Sequence, residues 1–419
     1  MPPQLQDLPA EILLLILAST GSLPDLRALA STSPRIYAVF QSDQAELIYQ
    51  ALANELGPVF ADALGLSLIQ VLDGSSRGYV DQLGDALCAY GAYLAQNDGG
   101  GGGLQSHHHH ADPSPRRQRL SLDHVLRLAR SYRAMALVAG AYTTCALKLF
   151  EREARSSSSL PGSVVTAVAA PPSRAEQLRV LRAHYRLQML LHFWGSWEYH
   201  RLNGTDAIDR ITLYLFGLWE LWEVQQTFCV GTVYDDLRYR LAEVLYRGDP
   251  DKSPQSALLS RNFHPLDEFR DFVRQVRATD EAAWQETLER ASSFPSGMEA
   301  AGRDEEQLSR CFRNRLWQHC EKKGPPEKHR FPASLRFDGD CVGAVPFGWV
   351  DAFDGHYGYN LYEKFGAIRR EGKPTQGLWS RLGFVMWDEP RVEALKTLSF
   401  LSHCTTGWAR SGRSTEAGS

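Results

Sequence analysis

The sequence predicts a mainly α-helical protein, and three observations support that fold class. Apolar residues recur three or four positions apart through most of the chain, which is the spacing of one helix face. Residues typical of helix starts precede these stretches, as in the Ser-Arg-Ala-Glu capping box at 173–176. Alternation typical of strands never continues beyond a few residues, and no internal repeat of roughly 20–50 residues is present.

Composition narrows the class of protein further. The 419 residues are enough for two or three folded units, and 43% hydrophobic with 22% charged residues is typical of globular chains. A net charge of −4 argues against nucleic-acid binding, which normally needs a basic surface. The seven cysteines are sparse and lie mostly in apolar stretches, as free thiols do in a reducing compartment.

No signal peptide or membrane span is expected. The apolar run at 12–18 is short, and the acidic residues Asp7 and Glu11 precede it where a signal peptide would carry positive charge. No run approaches the ~20 apolar residues of a spanning helix. The predicted location is therefore the cytoplasm or the nucleus, with no membrane partner.

Changes in composition divide the chain into six predicted parts. Five consecutive glycines and four consecutive histidines mark one low-complexity loop, and four consecutive serines mark a second. The predicted parts are a helical module at 1–57, a helical connection at 58–96, a disordered Gly/His-rich loop at 97–119, an irregular multi-helix domain at 120–330 with a disordered loop at 155–172, a Gly/aromatic-rich lobe at 331–410, and a disordered tail at 411–419.

The first predicted helix, from about Leu8 to Ala18, is apolar on nearly all sides. Such a helix must be covered on nearly all sides, either by the rest of the chain or by a partner. A second helix is predicted from Pro24 and a third from Pro34, since proline suits the first turn. A fourth is predicted from Asp43 to Gly57.

The motif pieces in this region follow one another in a fixed order. Leu-Pro-x-Glu stands at 8–11, an apolar run continues to 17, Asp-Leu-x-x-Leu stands at 25–29, and Ser-x-x-Ile begins at Ser33. This arrangement resembles an F-box, and is similar to that of uncharacterised fungal F-box-like proteins. The stretch Leu382–Pro390 also resembles a C-terminal signature of that group. The chain departs from the common pattern in having Pro34 and no tryptophan after Ser33.

The resemblance implies a three-helix module that binds a Skp-type adaptor and, through it, a cullin-RING ubiquitin ligase. The chain would then be a non-enzymatic adaptor that recruits an unknown protein target. The docking positions implied by the resemblance are Leu8, Pro9, Ile12, Leu13, Ile16, Leu17, Leu26, Leu29 and Tyr37, with Ile36 nearby. The alternative is a helical scaffold whose F-box-like segment belongs to its own core. Burial of Leu13, Leu14 and Leu17 by the chain itself would favour the scaffold.

A second candidate surface lies in the Gly/aromatic stretch at 341–366. Glycine allows close backbone approach and exposed aromatic rings favour binding, so this stretch is the candidate reader of a target. Its candidate residues are Trp349, Phe353, His356, Tyr357 and Tyr359. The competing interpretation is that these rings attach an irregular lobe to the helical body.

No catalytic residue, metal ligand or cofactor is predicted. The chain contains none of the hydrolase, zinc-protease or phosphate-loop motifs, and its cysteines lack the paired spacing of zinc sites. The four histidines at 107–110 have no fixed geometry and are interpreted as low complexity. An enzyme would remain an alternative if Asp354, His356 and Glu363 lined a deep pocket.

Overall fold

The computed structural model describes residues 4–72, 79–97, 121–156, 160–194, 211, 214–220, 222–231, 339–354 and 383–397, with isolated positions between 237 and 285. Within these residues 82% are helical and no strand is present. The predicted mainly α-helical fold class is therefore confirmed.

Eleven helices have defined bounds in the described part of the chain. They are α1 (Ala10–Ala18), α2 (Leu23–Ala30), α3 (Pro34–Ser42), α4 (Gln44–Leu56), α5 (Phe60–Gln70), α6 (Tyr79–Asn97), α7 (Leu122–Ser156), α8 (Gly162–Ala169), α9 (Arg174–Trp194), α10 (Phe347–Asp354) and α11 (Glu389–Lys396). A short 3₁₀ helix (Leu5–Asp7) precedes α1 and a second (Gly57–Val59) precedes α5. Residues 214–218 and 222–231 are also helical.

The chain divides into two compact units, Met1–Ala134 and Met135–Ser419, with the boundary inside α7. The first unit contains α1 to α6 and the start of α7. In it, the residues predicted as a separate module at 1–57 pack together with the helices that follow them, since α4 contacts α5.

Local capping explains where the first helices begin. The hydroxyl of Ser22 accepts a hydrogen bond from the Asp25 amide, and that of Ser33 accepts one from the Ile36 amide. Both bonds satisfy an amide that has no partner within its helix, and a proline occupies the first turn of each helix. The observed starts of α2 and α3 therefore lie within one residue of the predicted starts.

The core of the first unit lies between α1 and its neighbours α2, α3 and α4. Its buried side chains include Leu13, Leu17, Leu26, Ile36, Leu47 and Leu52. A second contact joins α5 to α6, where a β-carbon at Gly65 would overlap the ring of Tyr90. Glycine at this position therefore allows the two helices to approach closely.

One helical run in the described residues, Gln44–Gln70, is long and apolar enough to cross a membrane. Within its most apolar window, 67% is buried inside the protein. This degree of burial favours a core helix, because α4 and α5 contribute Leu52, Leu56 and Leu66 to the interior.

The second unit is built around α9 and the segment at 383–397. Val385, Met386 and Trp387 are fully buried, and Trp387 packs edge-on against Phe150 with ring centroids 5.6 Å apart. The Leu-Gly-Phe-Val-Met-Trp stretch noted in the sequence therefore supplies core residues. It is held by contacts with α7 and α9, and its hydrogen bonds to α9 join residues 207 to 215 positions apart in the chain.

The disordered loop predicted at 155–172 needs correction, because α8 (Gly162–Ala169) lies within it. The four consecutive serines led to the prediction of disorder, but a short apolar segment follows them, and its Val168 is fully buried. Pro161 provides the N-cap, and α8 packs against α11. Burial of this face explains why the segment forms a helix in a serine- and proline-rich context.

Candidate partner-docking surface

Helix α1 has one buried face and one exposed face. Leu13 and Leu17 point inward and are 1% and 0% exposed, whereas Ile12 and Leu15 are 42% and 66% exposed. Ile12 and Leu15 are three residues apart and therefore neighbours on the helix surface. The helix presents to solvent two large apolar side chains that no described part of the chain covers.

Exposed apolar side chains are concentrated near the start of the chain. Of the seven large apolar residues that are exposed in the described part, four lie within residues 5–37. Together with the exposed Pro9 they form what we call the exposed N-terminal set, which consists of Leu5, Pro9, Ile12, Leu15 and Tyr37. Single exposed apolar residues are ordinary, and their concentration in this stretch makes the set a candidate contact surface.

The backbone around this set is fixed by contacts between elements. The Arg35 guanidinium donates a hydrogen bond of 3.0 Å to the Leu8 carbonyl, which holds the start of α3 beside the start of α1. Further along α3, the rings of Tyr37 and Phe40 lie 6.2 Å apart. The exposed residues are therefore carried on ordered helices.

The nine docking positions implied by the F-box resemblance separate into three groups by burial. Three are exposed (Pro9, Ile12 and Tyr37), three are half-buried (Leu8, Ile16 and Leu29), and three are buried (Leu13, Leu17 and Leu26). The neighbouring Ile36 is also buried. The buried three are not accessible to a partner in this structure, because α1, α2, α3 and α4 pack against one another around them.

Leu15 is the docking candidate that sequence reasoning missed. It is the most exposed apolar side chain of the N-terminal set, yet it lies outside the positions taken from the F-box pattern. Helical spacing from Ile12 was the signal that could have identified it. Burial of Leu13, Leu14 and Leu17 together would favour the scaffold. Leu13 and Leu17 are buried, but Leu14 is only half-buried, so this condition is met for two of the three residues.

The second candidate surface also needs correction. Trp349 is 1% exposed and lies on α10 in the interior of the second unit. At the preceding position, a β-carbon on Gly348 would overlap the Phe384 carbonyl, so α10 packs directly on the 383–397 segment. The backbone of Phe353 lies in α10, while His356, Tyr357 and Tyr359 lie outside the described residues. The burial of Trp349 favours the competing interpretation, in which these rings attach the lobe to the helical body.

Sequence reasoning missed a cluster of buried charges in the second unit. The Arg179 guanidinium lies 2.7 Å from the Asp388 carboxylate and also donates to the Met386 and Cys341 carbonyls. The Arg391 guanidinium lies 3.0 Å from the Glu176 carboxylate. These pairs fasten the 383–397 segment to α9.

A second cluster of buried charges joins Glu223, in the helical stretch at 222–231, to two arginines of α9. Its two carboxylate oxygens lie 2.7 Å from Arg182 and 2.7 Å from Arg186, and the Arg186 guanidinium also stacks over the Trp219 ring. Burial alone raises the pKa of Glu223, but the two guanidinium groups outweigh that effect and lower it to about 2. Glu223 is therefore ionised at neutral pH and structural in character.

Three buried titratable groups of the second unit, one histidine and two cysteines, are held in their neutral forms. Burial lowers the pKa of His184 to about 4, and burial raises the pKa of both Cys145 and Cys229 to about 12. Both thiols therefore remain protonated at neutral pH, a state in which cysteine is a poor nucleophile. Among the described residues, no group of three or more His, Cys, Asp or Glu side chains has a metal-binding arrangement.

No protein-family model, curated protein or solved structure matches the chain.

Proposed function

We propose that the chain is a non-enzymatic adaptor that binds a Skp-type protein through its exposed N-terminal set. Through that protein it would join a cullin-RING ubiquitin ligase and hold a target close to it. Such recruitment works by raising the effective concentration of the target, and it needs no catalytic residue in the adaptor. The cytoplasm or the nucleus is the compartment that suits this role.

The observation that carries the proposal is the exposure of Ile12 and Leu15 on the helix that begins at the Leu-Pro-x-Glu motif. Removing an aliphatic side chain of this size from water contributes about 1.5–3 kcal/mol. A helix that offers neighbouring exposed apolar anchors suits a groove in a partner. The resemblance to an F-box implies a Skp-type partner, and the exposed face of α1 would supply the contact.

The experiment is a binding titration of the full chain with a purified Skp-type adaptor. Ile12→Asp and Leu15→Asp place a charge in the proposed interface, and each should weaken binding by ~10-fold or more. Val71→Asp is the matched control, because Val71 is also exposed, at 55%, and lies at the end of α5 in the same unit. Removal of residues 1–57 is a poor test, since it would strip α4 from the core.

The second candidate function is a helical scaffold, and the burial of Leu13 and Leu17 favours it. In that case the motif is retained for packing, and the full chain would not bind the adaptor at all. Loss of binding only in the Ile12 and Leu15 variants supports the adaptor. Absence of binding by the unaltered chain supports the scaffold.

A further inference from the structure

A cleft of about 420 Å³ opens in the first unit where α2, α4 and α7 meet. It is lined by Leu23, Pro24, Arg27, Ala28, Ser31, Glu55, Tyr132 and Arg133. Its volume lies within the range of ligand-binding clefts in proteins. None of its lining residues belongs to the exposed N-terminal set, so the cleft is a separate feature of the unit.

Hydrogen bonds from three helices fix the shape of the cleft. The Glu55 carboxylate on α4 accepts a bond of 3.0 Å from the Leu23 amide on α2 and one of 2.6 Å from the Tyr132 hydroxyl on α7. The hydroxyl of Ser31 donates to the Arg27 carbonyl at 2.7 Å, which fixes the end of α2. The walls are therefore joined through one carboxylate, and the cleft does not depend on a flexible loop.

Two arginines on different helices give the cleft its charge. Arg27 on α2 and Arg133 on α7 are both exposed, and neither guanidinium makes a hydrogen bond or an ion pair with another described residue. The only acidic group in the lining is Glu55. The lining thus carries one positive charge more than it carries negative charges, which a single carboxylate would balance.

We propose that this cleft receives an acidic side chain of a partner polypeptide. A guanidinium presents paired N–H donors that match a carboxylate, and the cleft offers two of them from different helices. The apolar surface of Leu23, Pro24 and Ala28 suits an aliphatic side chain next to the acidic one. The preferred sequence in the partner is therefore an acidic residue flanked by aliphatic residues.

The openness of the cleft favours a polypeptide over an enclosed small molecule. Five of the eight lining residues, Pro24, Arg27, Ala28, Ser31 and Arg133, are exposed. An open cleft covers only one side of its ligand. This suits a single side chain that projects from a partner polypeptide lying across the surface. The same geometry favours an internal acidic residue over a free C-terminal carboxylate, which would leave much of the cleft unused.

The probe for this proposal is a fluorescently labelled nine-residue peptide with Leu-Glu-Leu at its centre and blocked ends. Its anisotropy is followed as the full chain is added. The matched probe has Gln in place of Glu. A third probe ends in Leu-Leu with a free terminal carboxylate and contains no acidic side chain.

We expect the Glu probe to bind ~5-fold or more tightly than the Gln probe, in the millimolar range typical of one charged contact. Arg27→Gln and Arg133→Gln should each abolish this preference. Arg130→Gln is the control, because Arg130 is exposed on the same helix as Arg133 and does not line the cleft. Arg27 and Arg133 are exposed, so their replacement leaves the core intact.

Three results would overturn the proposal. One is absence of binding by the Glu probe up to about 5 mM, and another is equal binding of the Glu and Gln probes. The third is tighter binding of the probe with the free terminus, which would assign the cleft to C-terminal carboxylates. All measurements omit the Skp-type adaptor, so failure here leaves the proposed function standing and failure of that function leaves this result unaffected.

Discussion

The Arg179 guanidinium and the Asp388 carboxylate lie 2.7 Å apart although 209 residues separate them in the chain. The Arg179 side chain is fully buried, and that of Asp388 is 14% exposed. Together with the Met386 and Cys341 carbonyls, this pair holds the C-terminal core segment against α9. The stability of the second unit should therefore depend on it.

Arg179→Gln should destabilise the second unit by about 3–5 kcal/mol, because it leaves a carboxylate and two carbonyl groups without their charged donor. Chemical denaturation, followed by tryptophan fluorescence, measures this loss. Arg155→Gln is the matched control, since Arg155 pairs with Glu151 on the surface and should contribute less than about 1 kcal/mol. Equal effects of the two substitutions would refute a structural role for the buried pair.

Burial lowers the pKa of His184 to about 4. We therefore expect the free energy of unfolding to decrease as the pH falls below 6.5, at a higher pH than carboxylates titrate. The unfolded chain takes up a proton near pH 6.5, whereas the folded chain resists protonation until about pH 4. The stabilising contribution is thus complete above pH 6.5 and is lost as the pH falls to 4. The total loss is on the order of 3 kcal/mol.

His184→Gln should remove this dependence while keeping a donor for the Val180 carbonyl, which lies 2.8 Å from the His184 Nδ1 atom. The measurement is the free energy of unfolding at intervals between pH 7 and pH 4. A slope in this window that the substitution leaves unchanged would show that another group titrates there.

Glu223 should add a second and more acidic transition. Its pKa is about 2 in the folded chain and ordinarily 4.5, so its contribution is complete above pH 4.5 and is lost as the pH falls towards 2. Glu223→Gln should lower stability at pH 7, because Arg182 and Arg186 then lose their buried partner. The same variant should show a flatter slope between pH 4.5 and 2. An unaltered slope contradicts this assignment.

The sequence predicted local features of the second unit well. The capping box at the start of α9 is present, since the Ser173 hydroxyl accepts from the Glu176 amide and the Glu176 carboxylate accepts from the Ser173 amide. Both bonds join residues three apart, so their chemistry is contained in a short stretch of sequence. The partners of Arg179 could not be predicted in this way, because Cys341, Met386 and Asp388 lie 162 to 209 residues further along the chain.

The same distinction applies at α1. A helix that is apolar on nearly all sides does not reveal in its sequence which face a neighbour covers. The packing of α2, α3 and α4 against α1 decides that Leu13 and Leu17 are buried, whereas Ile12 and Leu15 remain exposed. Trp349 follows the same rule, since its aromatic and glycine-rich context is compatible with a binding surface and with a core.

Any side chain at Gly383 should lower the stability of the protein. Its φ of +65° lies in the left-handed region, and a β-carbon there would overlap the Tyr142 hydroxyl. We expect Gly383→Ala to cost about 1–3 kcal/mol in thermal or chemical unfolding. Gly140→Ala is a control of opposite sign, because Gly140 lies in α7 with open space around it and alanine favours the helix by about 0.5–1 kcal/mol.

We propose that the chain binds its Skp-type partner through the exposed N-terminal set. The most direct test places a photoreactive amino acid at Leu15 or, as a control, at Val71 in the full chain. Irradiation with the purified adaptor should give a crosslinked heterodimer from position 15 and none from position 71. A crosslink from position 71 alone, or no crosslink from either position, would contradict the claim.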